Sequence, residues 1–494
     1  MDDLAAPANP PLRPPPLAPL APADVRRIIV GVMLAMLLGA IDQTIVATAL
    51  PTIGNDLGDL VHLPWVVTAY LLSGTAVTPL YGKLADIVGR RKVVLTAIAI
   101  FVAASVLSAL ARSMWLLIFA RFLQGLGGGG LIALGQTVIG DVVAPRERAR
   151  YQAYFAGVFV TSSIAGPVLG GFFAEHLHWS FIFWINLPLG ALAFFITNDV
   201  LKRLPRHERR HRIDYVGAVL MVAATVTLLL ALSWGGDAYP WRSAQVIGLL
   251  FASAVAWALF VVRLLTAAEP FVPLSVMFHP VVAAATASNF FIIGTSVALT
   301  IYIPIYLQAV LHLSASQSGL ALLPFAVSSV VGAQISGRMM LTVMHYKRAP
   351  VIGVAVAIVA TAVLAATCAS LSLWQTEVLL AIIGISFGTI FPVTTVSVQN
   401  AVEPHQLGTT TATYNFFRSL GSAIFVAVLG AVFIGGLGVG GQSIVSLDAL
   451  IAAAAREGTA VGPVFQYVFG TAAITLTAGY LCLLAMKEVP LRGR

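Results

Sequence analysis

Long apolar stretches recur along the whole chain, separated by short clusters of glycine, proline or charged residues. Many of them are close to the roughly 20 residues that an α-helix needs to cross the hydrocarbon core of a bilayer. The runs are continuous rather than alternating, which excludes a transmembrane β-barrel. We therefore predict an all-α polytopic membrane protein. Its fourteen predicted spans cover residues 27–50, 65–83, 93–111, 114–141, 151–175, 179–199, 214–233, 244–264, 282–305, 319–341, 349–371, 376–400, 411–436 and 465–487.

The composition agrees with this pattern, because 59% of the residues are hydrophobic and only 10% are charged. Soluble globular domains carry about 25% charged residues. The two cysteines, Cys368 and Cys482, both lie inside apolar runs, which argues against a disulfide or metal framework. The sequence has no catalytic triad, ligand cluster or nucleotide-binding motif. We expect neither enzyme activity nor a metal or cofactor.

The positive charges are distributed unevenly between the two sides of the predicted bundle. Of the 28 Lys and Arg residues, 23 fall in the terminal segments and in the connections on the same side. By the positive-inside rule both termini are cytoplasmic, here in a prokaryotic inner membrane. Residues 1–26 are rich in proline and alanine and are predicted to be a disordered tail. Because topology explains the net charge of +8, we expect no nucleic acid partner.

A repeat divides the chain into two similar parts. The pattern Gly125-xxx-Gly129 followed by Asp141-xxx-Pro145 recurs 259 residues later. The second copy reads Gly384-xxx-Gly388 and Asn400-xxx-Pro404. Both copies end on the cytoplasmic side, so the repeat is parallel, and it predicts two halves with the substrate path between them. The predicted units are a six-helix half at 27–200, a basic loop at 201–213, two inserted helices at 214–264, a six-helix half at 282–487 and a tail at 488–494.

One acid and one base lie deep in the predicted spans. Asp42 lies 16 residues beyond Arg26, hence roughly 24 Å from the cytoplasmic surface at 1.5 Å per residue. Span 4 enters the membrane from the opposite side, and Arg121 lies roughly 9 Å below that opposite surface. In a core of about 30 Å these depths nearly coincide, so the two charges can neutralise each other. One interpretation is proton uptake and release by Asp42, and the alternative is a static ion pair between spans 1 and 4.

A charged, glycine-bracketed turn joins spans 2 and 3. Its defining residues are Gly82, Asp86, Gly89, Arg90 and Arg91. We expect this turn to lie on the cytoplasmic side and to act in gating. Span 13 begins on the same side near Thr411, and the positive end of its helix dipole suits Asp86. A contact between them would hold the two halves together on the cytoplasmic side.

Further polar and flexible positions are candidates for the transport path. Span 5 carries Gly166, Pro167, Gly170 and Gly171, where glycines permit close helix packing and the proline permits bending. The predicted cavity lining is Tyr70, Gln136, Asn289, Tyr302, Phe391 and Arg418. Arg418, in span 13, is either a gating contact or a structural arginine that snorkels toward the cytoplasmic surface.

Taken together, these motifs resemble the major facilitator superfamily, and in particular its fourteen-helix drug:proton antiporter branch of the EmrB/QacA type. The charged turn is similar to the superfamily signature, with Ile87 in place of its usual basic residue. Asp42 lies in an element similar to the branch's first-helix motif, and Arg121, Gln124 and Gly125 match its R-x-x-q-G element. The span 5 glycines resemble the antiporter element, except that Ser162 replaces its first glycine.

The resemblance implies a major facilitator fold and proton-coupled export of lipophilic or amphipathic compounds by alternating access. It implies that Asp42 and Arg121 take part in proton transfer. The expected partners are a small-molecule substrate, protons and the lipid bilayer, while a periplasmic adaptor is left open. Residues 282–376 contain no Asp or Glu, which argues against divalent cationic drugs. The alternatives are a proton-linked importer and a non-transporting membrane sensor, which would be expected to carry a soluble signalling domain.

Overall fold

The computed structural model describes residues 22–59, 62–202, 214–236, 238–267, 269–272, 274–343, 345–437 and 461–491. Three predicted segments lie wholly or largely outside these residues. They are the tail at 1–26, described from residue 22 onward, the basic loop at 201–213, described only at residues 201 and 202, and the last three residues of the tail at 488–494.

Within the described residues the regular structure is helical. The helices are α1 (Pro22–Leu57), α2 (Trp65–Val88), α3 (Arg90–Ala109), α4 (Met114–Gly128), α5 (Leu131–Val142), α6 (Pro145–His176), α7 (Phe181–Trp184), α8 (Asn186–Leu201), α9 (Tyr215–Trp234), α10 (Ala244–Thr266), α11 (Leu274–Met277), α12 (Pro280–Ala309), α13 (Ala315–Leu320), α14 (Leu323–Thr342), α15 (Arg348–Thr367), α16 (Leu373–Gly388), α17 (Ile390–Ala401), α18 (Leu407–Leu437) and α19 (Val461–Ala485). A 3-10 turn, Pro404–Gln406, precedes α18.

In the described part of the chain, thirteen helical segments are long and apolar enough to cross a membrane. The chain is therefore a multi-pass membrane protein. Helix α2 has 24 residues at the second predicted span but is not among the thirteen, so the count of fourteen stays a prediction. Four predicted spans are interrupted helices within the described residues. The breaks lie at Gly129 and Gly130 between α4 and α5, at Ile185 between α7 and α8, at Ala321 and Leu322 between α13 and α14, and at Thr389 between α16 and α17.

The buried apolar side chains form separate clusters along the chain. The largest contains residues from Val276 to Met486. Two others draw their buried members from Ile28–Leu201 and from Ile41–Phe183. Each cluster buries apolar side chains between helices that are near one another in sequence.

The repeated glycines are used in the same way in two helix pairs. A Cβ atom on Gly125 of α4 would overlap Ser73 Oγ and the Tyr70 carbonyl oxygen of α2. A Cβ atom on Gly384 of α16 would overlap Ser328 Oγ and the Phe325 carbonyl oxygen of α14. In both pairs the missing side chain lets two backbones approach closely.

Helices α9 and α10 pack on one another, and α9 also contacts α2 and α18. Asp214 caps α9 by accepting a hydrogen bond from Gly217 N at 3.1 Å, and it accepts a second from Arg263 Nε at 3.0 Å. This pair joins the start of α9 to the end of α10.

Candidate functional site

Asp42 and Arg121 form an ion pair inside the helix bundle. Arg121 Nη1 lies 2.6 Å from Asp42 Oδ2, and the side chains of both residues are at most 1% exposed. Arg121 Nε also donates to the Val66 carbonyl oxygen at 3.1 Å. The equal depths expected from the sequence are therefore matched by direct contact between α1 and α4.

Three polar side chains complete this site, and the sequence pointed to one of them, Gln124 of the R-x-x-q-G element. Gln124 Nε2 donates to Asp42 Oδ1 at 2.7 Å, and Asn186 Nδ2 donates to the same oxygen at 3.1 Å. Both amides also donate to Ser105 Oγ, at 2.8 and 3.3 Å. Gln124 lies three residues after Arg121 on the same helix face, which brings both side chains to Asp42. Asn186 and Ser105 come from distant spans whose rotation the sequence does not define.

The ring of Tyr70 lies between the ion pair and the central cavity. The Arg121 guanidinium carbon lies 4.3 Å from the centroid of the Tyr70 ring, within the range of a cation–π contact. Tyr70 is 3% exposed, yet it lines the cavity. Asp42 and Arg121 do not line it. The pair is thus one aromatic ring away from the space where a solute can sit.

The cavity has a volume of about 1420 Å³. It is lined by residues of α1, α2, α4, α5, α6, α9, α12, α13, α14, α16, α17, α18 and the connections beside them. We call the side on which α1 begins and α19 ends the tail side, and the other the far side. Thr68, Ser233 and Leu320, all near far-side helix ends, line the cavity. The cavity therefore extends to the far-side ends of these helices.

Of the predicted lining residues, Tyr70, Phe391 and Arg418 line this cavity. The Arg418 guanidinium carbon lies 5.4 Å from the centroid of the Phe391 ring. The cavity wall at this point is thus formed by a cation held against an aromatic ring.

Gln136, Asn289 and Tyr302 were also predicted to line the cavity, but they are buried between packed helices and do not. Tyr302 turns toward α18, where its hydroxyl donates to the Val426 carbonyl oxygen at 3.2 Å. Gln136 accepts hydrogen bonds from side chains of α17 and α18. Asn289 is 0% exposed in α12. A residue's position along an apolar helix fixes its depth but not the direction of its side chain, which is why these three assignments were wrong.

A layer of amides closes the cavity toward the tail side. Asn415 lines the cavity, and its Nδ2 donates to Gln136 Oε1 of α5 at 2.7 Å. Gln399 Nε2 donates to the Gln136 carbonyl oxygen at 3.2 Å. These bonds join α5 to α17 and α18 directly below the cavity.

A second layer lies at the charged turn. Asp86 Oδ1 accepts from Gly408 N at 3.1 Å, and its Oδ2 accepts from Thr409 N and Thr409 Oγ1, both at 2.7 Å. The predicted contact of Asp86 with the start of span 13 is therefore present, two to three residues before Thr411. The backbone N–H groups of a helix N-terminus favour a carboxylate in this position.

The other members of the turn support this contact. Arg90 contacts Asp86 Oδ1 at 2.5 Å and Asp141 Oδ2 at 2.9 Å, so it joins α3 to α2 and α5. Arg91 instead donates to Asn198 Oδ1 of α8, from Nη2 at 2.7 Å. A Cβ atom on Gly82 would lie 2.5 Å from the Gly408 carbonyl oxygen, and Gly89 has a φ of +97° at the turn. Glycine is required at both positions, for close approach and for backbone conformation respectively.

The span 5 glycines differ among themselves. Cβ atoms on Gly166 and Gly170 would overlap the hydroxyls of Thr44 and Thr48 of α1, whereas Gly171 has nothing within 4 Å. Pro167 lines the cavity. The expected close approach therefore holds for Gly166 and Gly170, and it is wrong for Gly171, which lies on another face of α6.

Comparisons with known proteins agree with this architecture. Residues 32–426 match the family model of the Major Facilitator Superfamily. The chain is 35% identical over 409 residues to the multidrug transporter protein MdtP of Bacillus subtilis, covering 82% of this chain and 74% of that protein. It is 34% identical over 411 residues to multidrug resistance protein 3 of the same organism, covering 83% and 80%.

Among solved structures, the human organic anion transporter MFSD10 (TETRAN) aligns with a TM-score of 0.63, covering 94% of this chain and 100% of that one. Its sequence identity is 16%, so the likeness shows the fold alone. The family and these relatives indicate a transporter rather than an enzyme, one that binds small-molecule substrates and lies in a lipid bilayer. The chain belongs to the Major Facilitator Superfamily.

Proposed function

We propose that the chain is a proton-coupled antiporter that exports lipophilic or amphipathic compounds by alternating access. In this proposal fourteen spans form two six-helix halves with two inserted central helices, in a prokaryotic inner membrane with both termini in the cytoplasm. The two bacterial relatives named as multidrug proteins support export of such compounds. The matching use of Gly125 and Gly384 supports two related halves.

The observation that carries the coupling is the fully buried Asp42 carboxylate, held by Arg121 and by two amides. An acid within a transmembrane helix is costly and is retained mainly where it serves transport or a relay. Proton uptake by Asp42 removes its charge and leaves Arg121 without a counter-ion. The bond between α1 and α4 then weakens, while the Gln124 and Asn186 amides can still reach the neutral carboxyl. This changes how α1 packs beside the cavity.

The direction of opening is set by the two layers on the tail side. With Asp86 bound to the start of α18 and Asn415 bound to Gln136, the cavity is closed toward the tail side and extends to the far-side helix ends. In the proposed cycle, protons enter Asp42 from the far side, both layers separate, and the cavity then opens to the cytoplasm. The solute binds there as the proton leaves. A nutrient importer would share this geometry, so transport direction has to be measured.

The test uses everted membrane vesicles in which a proton gradient drives accumulation of a fluorescent amphipathic dye. Wild type is expected to accumulate the dye and to lose it when a protonophore is added. Asp42→Asn should abolish gradient-driven accumulation. The matched control is Asp56→Asn, in the same helix, whose side chain is 51% exposed. Proton-driven accumulation by Asp42→Asn at the wild-type rate would refute the coupling.

The gating role of the charged turn has a separate test. Asp86→Asn removes the charge that the N-terminus of α18 stabilises, so transport should slow while substrate binding persists. The control is Asp199→Asn, an acid that is 71% exposed in α8. Loss of binding in Asp86→Asn would show that the turn shapes the binding site rather than the gate.

A further inference from the structure

We propose that the ligand of the central cavity is an amphipathic organic anion whose carboxylate, sulfonate or phosphate group binds Arg418. This rests on the proposed function only in taking the cavity as the transport site. The apolar body of the ligand lies against the aromatic rings beside Arg418.

The first observation is that Arg418 lacks a partner for its charge. In the described part of the chain, no carboxylate oxygen lies within 4.0 Å of its guanidinium nitrogens. Its guanidinium carbon instead lies 5.4 Å from the centroid of the Phe391 ring. Arg418 is partly exposed, and it faces the cavity. The site therefore has five N–H donors available for an acceptor from outside the protein.

The second observation concerns the charges that face the cavity. Of the lining residues that the structure describes, Arg418 alone has a formally charged side chain, and none is an Asp or Glu. Asp42 lies behind Tyr70 and is neutralised by Arg121. The cavity is therefore positive, so it attracts an anion and repels a cation.

The position of Arg418 on α18 argues against a snorkelling role. Asn415, Arg418, Ser422 and Val426 recur at intervals of three to four residues and all line the cavity, so they form one face of the helix. Asn415 also belongs to the amide layer below the cavity. Arg418 thus lies above the closed floor on the face that a ligand meets.

The surroundings of Arg418 determine the rest of the ligand. Phe391 lies against Arg418. Phe325 and Phe387, which line the same cavity, pack edge to face with their ring centroids 6.1 Å apart. A planar guanidinium binds carboxylates and related anions through two parallel hydrogen bonds. One anionic group and an aromatic or otherwise apolar body is the combination that matches these residues.

The proposal has an electrical consequence. If one monoanion leaves for each proton that enters, each cycle moves two positive charges inward. A membrane potential that is negative inside then drives transport together with the proton gradient. One-to-one exchange of a monovalent cation for a proton would be electroneutral and would not respond to the potential.

The experiment is equilibrium dialysis of two probes of the same shape against the purified full-length chain in detergent, with protein-free micelles subtracted. The probes are naphthalene-2-sulfonate and the 2-naphthyltrimethylammonium cation. Wild type is expected to bind the sulfonate more tightly. Arg418→Gln should weaken sulfonate binding about tenfold, the loss expected for a charged hydrogen bond, without weakening binding of the cation.

Arg418→Lys keeps the charge and should retain most of the sulfonate affinity. Arg338→Gln removes an exposed arginine of α14 outside the cavity and should change nothing. A thermal unfolding transition like that of wild type shows that each variant is folded. Equal or tighter binding of the cation by wild type, or unchanged sulfonate affinity in Arg418→Gln, would overturn the proposal.

Binding needs no gradient, so this result is independent of proton coupling. Arg418-dependent sulfonate binding without energised export would refute the proposed function and leave the anion site standing. Proton-driven export of the cationic probe but not of the sulfonate would support the proposed function and refute the anion site.

Discussion

Arg121 and Arg418 both lie within spans of the helix bundle, and their surroundings are opposite. Arg121 is 1% exposed and is surrounded by acceptors: the Asp42 carboxylate, Gln124 Oε1 and the Val66 carbonyl oxygen. Arg418 lines the cavity, with an aromatic ring beside it and no carboxylate of the described chain in contact. The guanidinium of Arg121 thus has its hydrogen-bond acceptors within the protein, whereas that of Arg418 is available to a ligand.

This difference assigns different tasks to the two sites. A saturated pair changes only when one member gains or loses a proton, which suits coupling. An open cation facing a large cavity changes when a ligand arrives, which suits recognition. Tyr70 lies between them, because its ring contacts Arg121 and lines the cavity.

The largest expected effect is a difference in the stability that is lost when each of the two arginines is replaced. Arg121→Ala leaves the buried Asp42 charge uncompensated, so we expect a loss of about 3–5 kcal/mol in the free energy of unfolding. Arg418→Ala removes no partner of a buried charge, and the loss should be about 1 kcal/mol or less. Thermal unfolding of the two purified variants, followed by circular dichroism, measures the difference. The double variant Asp42→Asn/Arg121→Gln should recover part of the loss, and equal losses in the two single variants would remove the distinction.

A smaller effect follows if Arg418 is given a partner. Ser422 lies four residues after Arg418 on the same cavity face, so Ser422→Glu places a carboxylate within reach of the guanidinium. We expect sulfonate affinity to fall about tenfold, because the internal acid competes for the same donors. Ser422→Gln is the control of equal size. Unchanged sulfonate binding in Ser422→Glu would mean that the anion does not use Arg418.

The smallest expected effect concerns the ring between the sites. Tyr70→Leu removes the cation–π contact with Arg121, so stability should fall by about 1 kcal/mol. It also opens the wall beside Asp42, and proton leak without substrate should rise in proteoliposomes that contain a pH dye. Tyr70→Phe keeps the ring and should leave both quantities near wild type. An equal leak in Tyr70→Phe would assign the barrier to the hydroxyl instead.

Much of the fold could be predicted because apolar length is a direct physical requirement of the bilayer. Helix positions followed from runs such as those around Asp42 and Arg121. Interruptions such as Thr389 could not be predicted, because they depend on local packing between helices. The first helix also continues through Pro51 to Leu57, beyond the expected end at residue 50.

The sequence predicted how deep the site residues lie in the membrane, but not the direction in which their side chains point. Counting residues brought Asp42 and Arg121 to one level, and the dipole of α18 suggested the contact with Asp86. Gln136 and Tyr302 were assigned to the cavity, but a position along a span fixes the depth of a side chain and not the helix face on which it lies. The partners Asn186 and Ser105 were missed for the same reason.

The central claim is that Asp42 with Arg121 provides coupling and Arg418 provides recognition. Its most direct test is one set of proteoliposomes assayed twice with labelled naphthalene-2-sulfonate, for accumulation driven by a proton gradient and for exchange without a gradient. Asp42→Asn is expected to lose accumulation and keep exchange, whereas Arg418→Gln should lose both. Accumulation by Asp42→Asn, or exchange by Arg418→Gln at the wild-type rate, would contradict the claim.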